Sequence, residues 1–375
     1  MHPASLISYY PSYNILDSIV SLGGYKRLNI FIDLKNAMQT TYMEHAIVNI
    51  IETSKKSKYT DTSIFSSLIA FLTFHKIYAY KRGIDIAYVI FFESGHSYYH
   101  TNISKKYKIT RKIDDLYGLK REDRELFYQI LQSNFMLIEK ACSKLPSVRV
   151  VRLPNLEADF VPYYVLTRNL IERGDKIGNI IYSNDHDLFQ CLDDDCYVFS
   201  KSAKSKKILK KGEAVSTFIK KETNISDDFY PLIMSIVGDV GDCVDGVHGV
   251  GGKRISDCFD QLVCLTGDMN EINNKVENGL PLFSSLPSSI SNKHLNNIVT
   301  AETTSNLISM NLKLVSFELI SRAVENPKTT EMLDKKNILI NAIQNHEVVP
   351  LESLKKALET NGVFLQESSI DILYI

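Results

Sequence analysis

Carboxylates recur in this chain where short apolar runs end. Asp33 closes the run NIFID, and Glu93 follows IAYVIFF. Glu157 and Asp159 form an i, i+2 pair in LEADF after Val148 to Leu153, and Asp185 and Asp187 a second such pair in YSNDHDLF after Ile180 to Tyr182. With Asp242 the set reaches seven. Gathered in one cleft, such groups repel and cannot all stay ionised. Divalent cations remove the conflict. Mg²⁺ and Mn²⁺ favour hard oxygen ligands, and two such ions roughly 4 Å apart stabilise both the attacking and the leaving oxygen of a phosphodiester. The chemistry open to this set is therefore metal-dependent hydrolysis of a nucleic-acid backbone. A single acid has plainer uses: Asp185 could cap a helix beginning near His186, and Glu157 could open one running through Arg168.

Asp242 also introduces a second feature, the stretch GDVGDCVDGVHGVGGKR from Gly238 to Arg254. Glycines at 249 and 251 permit φ > 0 and a close approach of backbone to phosphate. Lys253 and Arg254 then stand where a helix would present unpaired N–H groups and the positive end of its dipole. A nucleotide P-loop does not fit, because Val247 occupies the position of its first glycine and Arg254 that of its Ser or Thr. The alternative is an ordinary glycine-rich turn.

The acids need elements to carry them. Strands ending at Asp33 and Glu93, alternating with helices up to about residue 200, predict a mostly parallel, three-layer α/β sheet. Acids at the carboxyl ends of such strands converge, since that edge is where open α/β sheets bind ligands. Ile64 to Tyr80 predicts a core helix with His75 packed inside it. Arg121 to Lys144 predicts an amphipathic helix whose stripe is Phe127, Ile130, Leu131, Phe135, Ile138 and Cys142. Residues 1–25 read as an extension, and the chain beyond 212 as mainly helical. Ser256 to Thr304, polar and punctuated by Gly, Pro and Ser, reads as an insertion with a mobile loop. Later elements are expected at Asn311 to Phe317 and Leu351 to Thr360.

A formal net charge of −1 does not exclude a nucleic-acid partner when the basic residues cluster, and here they do. Lys105, Lys106, Lys108, Arg111 and Lys112 form one group; Lys201, Lys204, Lys206, Lys207, Lys210 and Lys211 form another, which could equally be a solvated hairpin face. The six cysteines make no C-x-x-C pair and are expected as free, mostly buried thiols. No stretch reads as a membrane span or a secretory signal, so a cytoplasmic protein is expected.

Taken together, these motifs resemble the 5′-nuclease superfamily: flap endonucleases, phage 5′ to 3′ exonucleases and the 5′-nuclease domain of bacterial DNA polymerase I. The match spans roughly residues 28 to 256. It rests on FFESGHSYYHTNISKKYKITRK with its Y-K-x-x-R residues Tyr107, Lys108 and Arg111, on EAD, on SNDHDLFQ, and on GDVGDCVDGVHGVGGK. The resemblance implies a PIN-like nuclease domain over residues 26–211 with a helical arch at about 94–145. It also implies a helical region over 212–375 that contains a helix-hairpin-helix at about 238–262 and an insertion at about 265–304.

By the same resemblance Asp33, Glu93, Glu157 and Asp159 would hold one Mg²⁺ or Mn²⁺, and Asp185, Asp187 and Asp242 a second. Lys108 and Arg111 would contact the scissile phosphate. Lys105, Lys106, Lys112, Gly249, Gly251, Lys253 and Arg254 would bind the DNA backbone, with K⁺ on hairpin carbonyls, and Tyr98, Tyr99 and Tyr107 could stack on unpaired bases. Three departures stand out. Glu93 replaces the usual Asp, Phe160 stands where a further acid is common, and the amino-terminal extension and the polar segment after Ser256 lack counterparts. The implied activity is cutting of 5′ flaps and 5′ ends in DNA or RNA·DNA hybrids, as in primer removal, with replication proteins as partners. A free-standing, phage-like enzyme acting in a host cytoplasm is the expected setting. The alternatives are a degenerate nuclease fold that binds branched DNA and a related metal-dependent ribonuclease.

Overall fold

The structure, a computed structural model, describes residues 24–41, 51–52, 54–55, 62–108, 120–201, 206–283, 289–360, 363 and 367–374. The sheet-forming part runs β1 (Arg27–Asp33), α1 (Leu34–Thr41), α2 (Ser63–Tyr80), β2 (Asp85–Ser94), α3 (Tyr98–Ile103), α4 (Arg121–Cys142), β3 (Val148–Pro154), α5 (Val161–Thr167), β4 (Ile177–Tyr182), β5 (Cys196–Lys201) and β6 (Lys206–Leu209). Six strands lie in the order β3-β2-β1-β4-β5-β6, parallel except for β6 against β5. β1 is buried on both faces, which is why Ile30, Phe31 and Ile32 follow one another as apolar residues rather than alternating with polar ones. Within it, Ile30 and Ile32 join one core layer and Phe31 the other, the period-2 division a strand imposes.

From β1 the chain winds outward to β2 and β3 on one side, then returns to place β4 on the other. That reversal opens a crevice at the carboxyl ends of β1 and β4. Register brings the acids to the same edge there: Asp33 lies opposite Phe91, two residues before Glu93, while Ile32 lies opposite Tyr182 and Glu93 opposite Leu153.

One core layer packs α2, α4 and the two last helices, α15 (Leu351–Thr360) and α16 (Glu367–Tyr374), on the sheet; the other packs α5 and the remaining carboxyl-terminal helices. The three-layer α/β expectation therefore holds. The expected stripe of α4 faces the core, with Phe127, Ile130, Ile138 and Cys142 buried and Leu131 and Phe135 half-covered. His75 is packed as expected. Its Nδ1 donates to the Phe71 carbonyl at 2.8 Å, and burial pushes the imidazole down to about 4.

Carboxyl-terminal to the sheet come α6 (Ala214–Ile219), α7 (Tyr230–Val237), α8 (Gly252–Ile255), α9 (Phe259–Thr266), α10 (Met269–Glu277), α11 (Lys293–Ser305), α12 (Leu307–Val315), α13 (Phe317–Glu325) and α14 (Thr330–Ile343), ahead of α15 and α16. Of the segment after Ser256, expected as an insertion with a mobile loop, residues 284–288 lie outside the described part, and most of the rest is α9, α10 and α11. Asp268 caps α10 and Asn292 caps α11, and Ile272, Val276, Leu295, Ile298 and Val299 are buried. Polar residues cover the outer faces of these amphipathic helices, over an apolar stripe only a few residues long.

Of the lysine group 201–211, Lys201 lies on β5 and Lys206 and Lys207 on β6, which pairs antiparallel with it, while Lys204 lies outside the described residues. Lys207 donates to Thr217 Oγ1 at 3.2 Å and Lys211 to Asp194 at 3.0 Å, as on a solvated face. All six cysteines are free, and among the described residues no helix is long and apolar enough to cross a membrane. The extension over residues 1–23, together with Arg111 and Lys112, lies outside the described residues.

Candidate metal centre

Asp33 sits where β1 passes into α1. Its Oδ1 accepts the Asn36 N–H at 3.0 Å and its Oδ2 the Ser183 hydroxyl at 2.7 Å, which ties the ends of β1 and β4 through one carboxylate. Asn36 in turn accepts the Asn184 N–H at 2.9 Å. Burial, with the charges of Glu93 and Asp185 nearby, pushes Asp33 up to about 7 against the pull of its two hydrogen bonds. Glu93, at the end of β2, pairs with Lys35 at 2.5 Å.

Asp159, just ahead of α5, is raised well above the usual carboxylate range by burial and by Asp185, Asp33 and Glu93. Asp185 caps the 3₁₀ turn His186–Cys191 by accepting the Asp187 N–H at 3.0 Å, so the capping use read from sequence is real; burial raises its carboxyl too. Asp187 is raised further, by burial and then by the Asp185 charge.

Glu157 goes the other way. Burial opposes its ionisation, yet His100, the Lys108 ammonium and the Tyr107 hydroxyl hold it below the usual range. Lys108 Nζ lies 2.5 Å from Glu157 and 3.3 Å from Asp242, and its backbone N–H donates to the Asp242 carbonyl at 2.9 Å from a left-handed φ of 52°. The Tyr107 hydroxyl shares its proton between Glu157 at 2.8 Å and Asp242 at 3.1 Å. Tyr107 is thus no exposed stacking platform. It is buried against His100, rings 4.7 Å apart, while His100 Nε2 donates to the Leu314 carbonyl at 3.1 Å. Tyr98 is exposed and Tyr99 packs against the core. Phe160 is a core side chain edge-on to Tyr164.

Two glycines build the turn that carries Asp242. At Gly238 φ is +79°, and a Cβ there would meet the Gly246 nitrogen at 2.4 Å; a Cβ on Gly246 would meet the Val237 carbonyl oxygen at 2.0 Å. Only bare backbone allows the two ends to touch, and Asp239 and Val244 close the turn through reciprocal hydrogen bonds of 2.9 and 2.8 Å.

Beyond it, Gly249 has the expected positive φ of +75°. Gly251 does not: its φ of −100° is extended backbone that any residue adopts. The helix it caps, α8, is a single turn with little dipole of its own. Arg254 donates to the Gly249 carbonyl at 2.9 Å, and Asn297 to the His248 carbonyl at 3.1 Å, so hairpin oxygens considered for K⁺ already accept hydrogen bonds. Lys253 and Lys105 are exposed, and Lys106 lies 3.8 Å from Asp245.

Electrostatic contacts thus link Asp33, Glu93, Asp159, Asp185, Asp187 and Asp242 into one chain of neighbours, and Glu157 joins them through the Lys108 it shares with Asp242. Residues not counted among the seven join them: Lys35, Ser183, His186, and Asp239, the first acid of GDVGD. His186 Nε2 lies 3.7 Å from Asp187 Oδ1 and 3.5 Å from Asp239 Oδ2. Burial works against its charge, but Asp239, Asp187 and Asp185 raise the imidazole to about 9. The only signal available for it was its place inside SNDHD.

The donor set fits divalent cations. Ligand atoms of Asp185, His186 and Asp187 lie within 4.8 Å of one another, and Asp187 Oδ1 is sealed from solvent without a hydrogen-bond partner among the described residues. Unscreened carboxylates this close are pushed toward protonation, which is the strain a cation relieves.

No family model and no curated protein sequence matches the chain. Solved structures do. A phage T5 5′-exonuclease with zinc bound aligns at 18% identity and a TM-score of 0.55, covering 85% of this chain and 100% of that one. The bacteriophage T5 flap endonuclease, in a complex with DNA and metal ions, aligns at 20% identity and 0.55, again over 85% and 100%. The structures that this chain resembles are 5′-nucleases, in keeping with its motifs. Over a six-stranded sheet with its acids at the carboxyl edge, the chain has the α/β PIN-like fold of the 5′-nucleases.

Proposed function

We propose that this protein is a metal-dependent, structure-selective 5′-nuclease that hydrolyses phosphodiesters at 5′ flaps and 5′ ends of DNA or RNA·DNA hybrids. The observation that carries the reading is the convergence of seven carboxylates and Lys108 at the carboxyl edge of the sheet. Divalent cations held by Asp33, Glu93, Glu157, Asp159, Asp185, Asp187 and Asp242 would polarise the scissile phosphate and lower the pKa of an attacking water.

The chain's own groups prepare that site. Ser183 and Asn36 fix the orientation of Asp33, and Tyr107 fixes Glu157 and Asp242. Lys108 keeps an ammonium where a phosphoryl group gains negative charge, with Arg111 proposed beside it. Residues 94–145 would arch over the cleft and pass a single-stranded 5′ end. The turn from Gly238 through Arg254 would act as a helix-hairpin-helix on the duplex backbone, with Lys105, Lys106, Lys112 and Lys253 adding phosphate contacts. Removal of primers and flaps in replication, in a host cytoplasm if the chain is phage-encoded, is the task this activity suits.

The test is a duplex with a labelled 5′ flap, incubated with Mg²⁺ or EDTA beside a 3′-flap control. Cutting near the 5′ junction only with Mg²⁺ is expected. Tight binding without cleavage, in Mn²⁺ as well, would sink the catalytic reading and leave a branched-DNA binder.

A further inference from the structure

His186 and Asp239 make the cleft more than a carboxylate cluster. Asp239 Oδ1 is occupied by the Gly241 N–H at 2.7 Å, leaving Oδ2 toward the imidazole. The ring is held flat against Phe218, centroids 5.5 Å apart and planes 27° from parallel, and the His186 carbonyl accepts the Tyr230 hydroxyl at 3.0 Å. Nε2 therefore faces two carboxylate oxygens, Asp187 Oδ1 at 3.7 Å and Asp239 Oδ2 at 3.5 Å.

The His186–Asp187 separation is close to one edge of a coordination polyhedron. Donor atoms bonded at about 2.0–2.1 Å to one tetrahedral ion lie about 3.4 Å apart. Asp187 Oδ1 has no hydrogen-bond partner among the described residues, although no solvent reaches it, and Asp185 offers a further oxygen within the same 4.8 Å group. Imidazole suits ions of the Zn²⁺ and Co²⁺ class, whereas Mg²⁺ takes oxygen ligands in octahedral geometry.

We propose that His186, with Asp185 and Asp187, is a nitrogen-bearing cation site, its imidazole oriented by Asp239, that makes this cleft select first-row transition ions over Mg²⁺. The inference rests on the proposed function only in taking the cleft to bind cations. The competing arrangement is a histidine that serves solely as an ion-pair partner of Asp239 and is never a ligand.

Co²⁺ and Mg²⁺ affinities are measured by calorimetry on the wild type, His186→Gln and Asp239→Asn, and X-ray absorption at the cobalt edge is recorded on the wild-type Co²⁺ complex. The expected result is imidazole scattering in the wild type. His186→Gln should then lose on the order of tenfold or more in Co²⁺ affinity while Mg²⁺ affinity changes less than about twofold, with a smaller Co²⁺ loss in Asp239→Asn. A Co²⁺-to-Mg²⁺ affinity ratio unchanged in His186→Gln, or an edge spectrum with oxygen ligands alone, would overturn the site. Should His186→Gln fail to fold, the wild-type spectrum decides. Imidazole-ligated Co²⁺ in a protein that cuts no 5′ flap would sustain this site and reject the nuclease reading.

Discussion

Lys108 pairs with two carboxylates of the cleft, and replacing it by Met removes the ammonium while keeping the stem. Nζ lies 2.5 Å from Glu157 and 3.3 Å from Asp242, with the three side chains 21%, 14% and 8% exposed. Removing one partner of a fully buried ion pair costs about 3–5 kcal/mol; the partial exposure of Lys108 and the remaining Tyr107 hydroxyl reduce this to about 2–4 kcal/mol. Lys108→Met is therefore expected to be about 3 kcal/mol less stable than wild type in EDTA.

Saturating Mg²⁺ should return more stability to the variant than to the wild type, because two carboxylates released from the lysine become better cation ligands. A tenfold gain in affinity would appear as about 1.4 kcal/mol of extra stabilisation. Urea unfolding followed by circular dichroism, with EDTA and with Mg²⁺, measures both terms. If the loss is the same in the two conditions, Lys108 and the cation do not share these acids, and the electrostatic account of the cleft fails.

Asp185→Asn should lower 5′-flap cleavage by at least about a hundredfold with flap affinity changed less than about twofold, read by cleavage assays and gel shifts; near-normal cutting would remove Asp185 from the site. Gly246→Ala forces a Cβ to within 2.0 Å of the Val237 carbonyl oxygen, and should cost about 3 kcal/mol or more in thermal unfolding and depress cleavage without touching an acid. His75 supplies a test of pH. Its folded value of about 4 lies below the unfolded 6.5, so the neutral buried ring contributes fully above that window. Its contribution declines as pH falls through the window, by about 3 kcal/mol in all. His346 is also lowered to about 4, so the readout is the difference in acid slope between wild type and His75→Gln, and equal slopes would refute the assignment.

Local sequence determined the strands that end in Asp33 and Glu93, the paired acids after β3 and β4, and the buried stripe of α4. Each is a short-range pattern that the period of a strand or helix converts directly into a face or an end. The same locality explains what was misjudged: the conformation of Gly251 is set by the turn around it and not by what glycine permits. Only the tertiary structure decided how charge is distributed in the cleft. Asp33 is held by Ser183, 150 positions away; Glu157 and Asp242 share Lys108 and Tyr107; and His186 meets Asp239 from a different element. Whether an acid there is charged depends on burial and on neighbours a few ångströms away that lie distant in the chain, and no local periodicity encodes those distances.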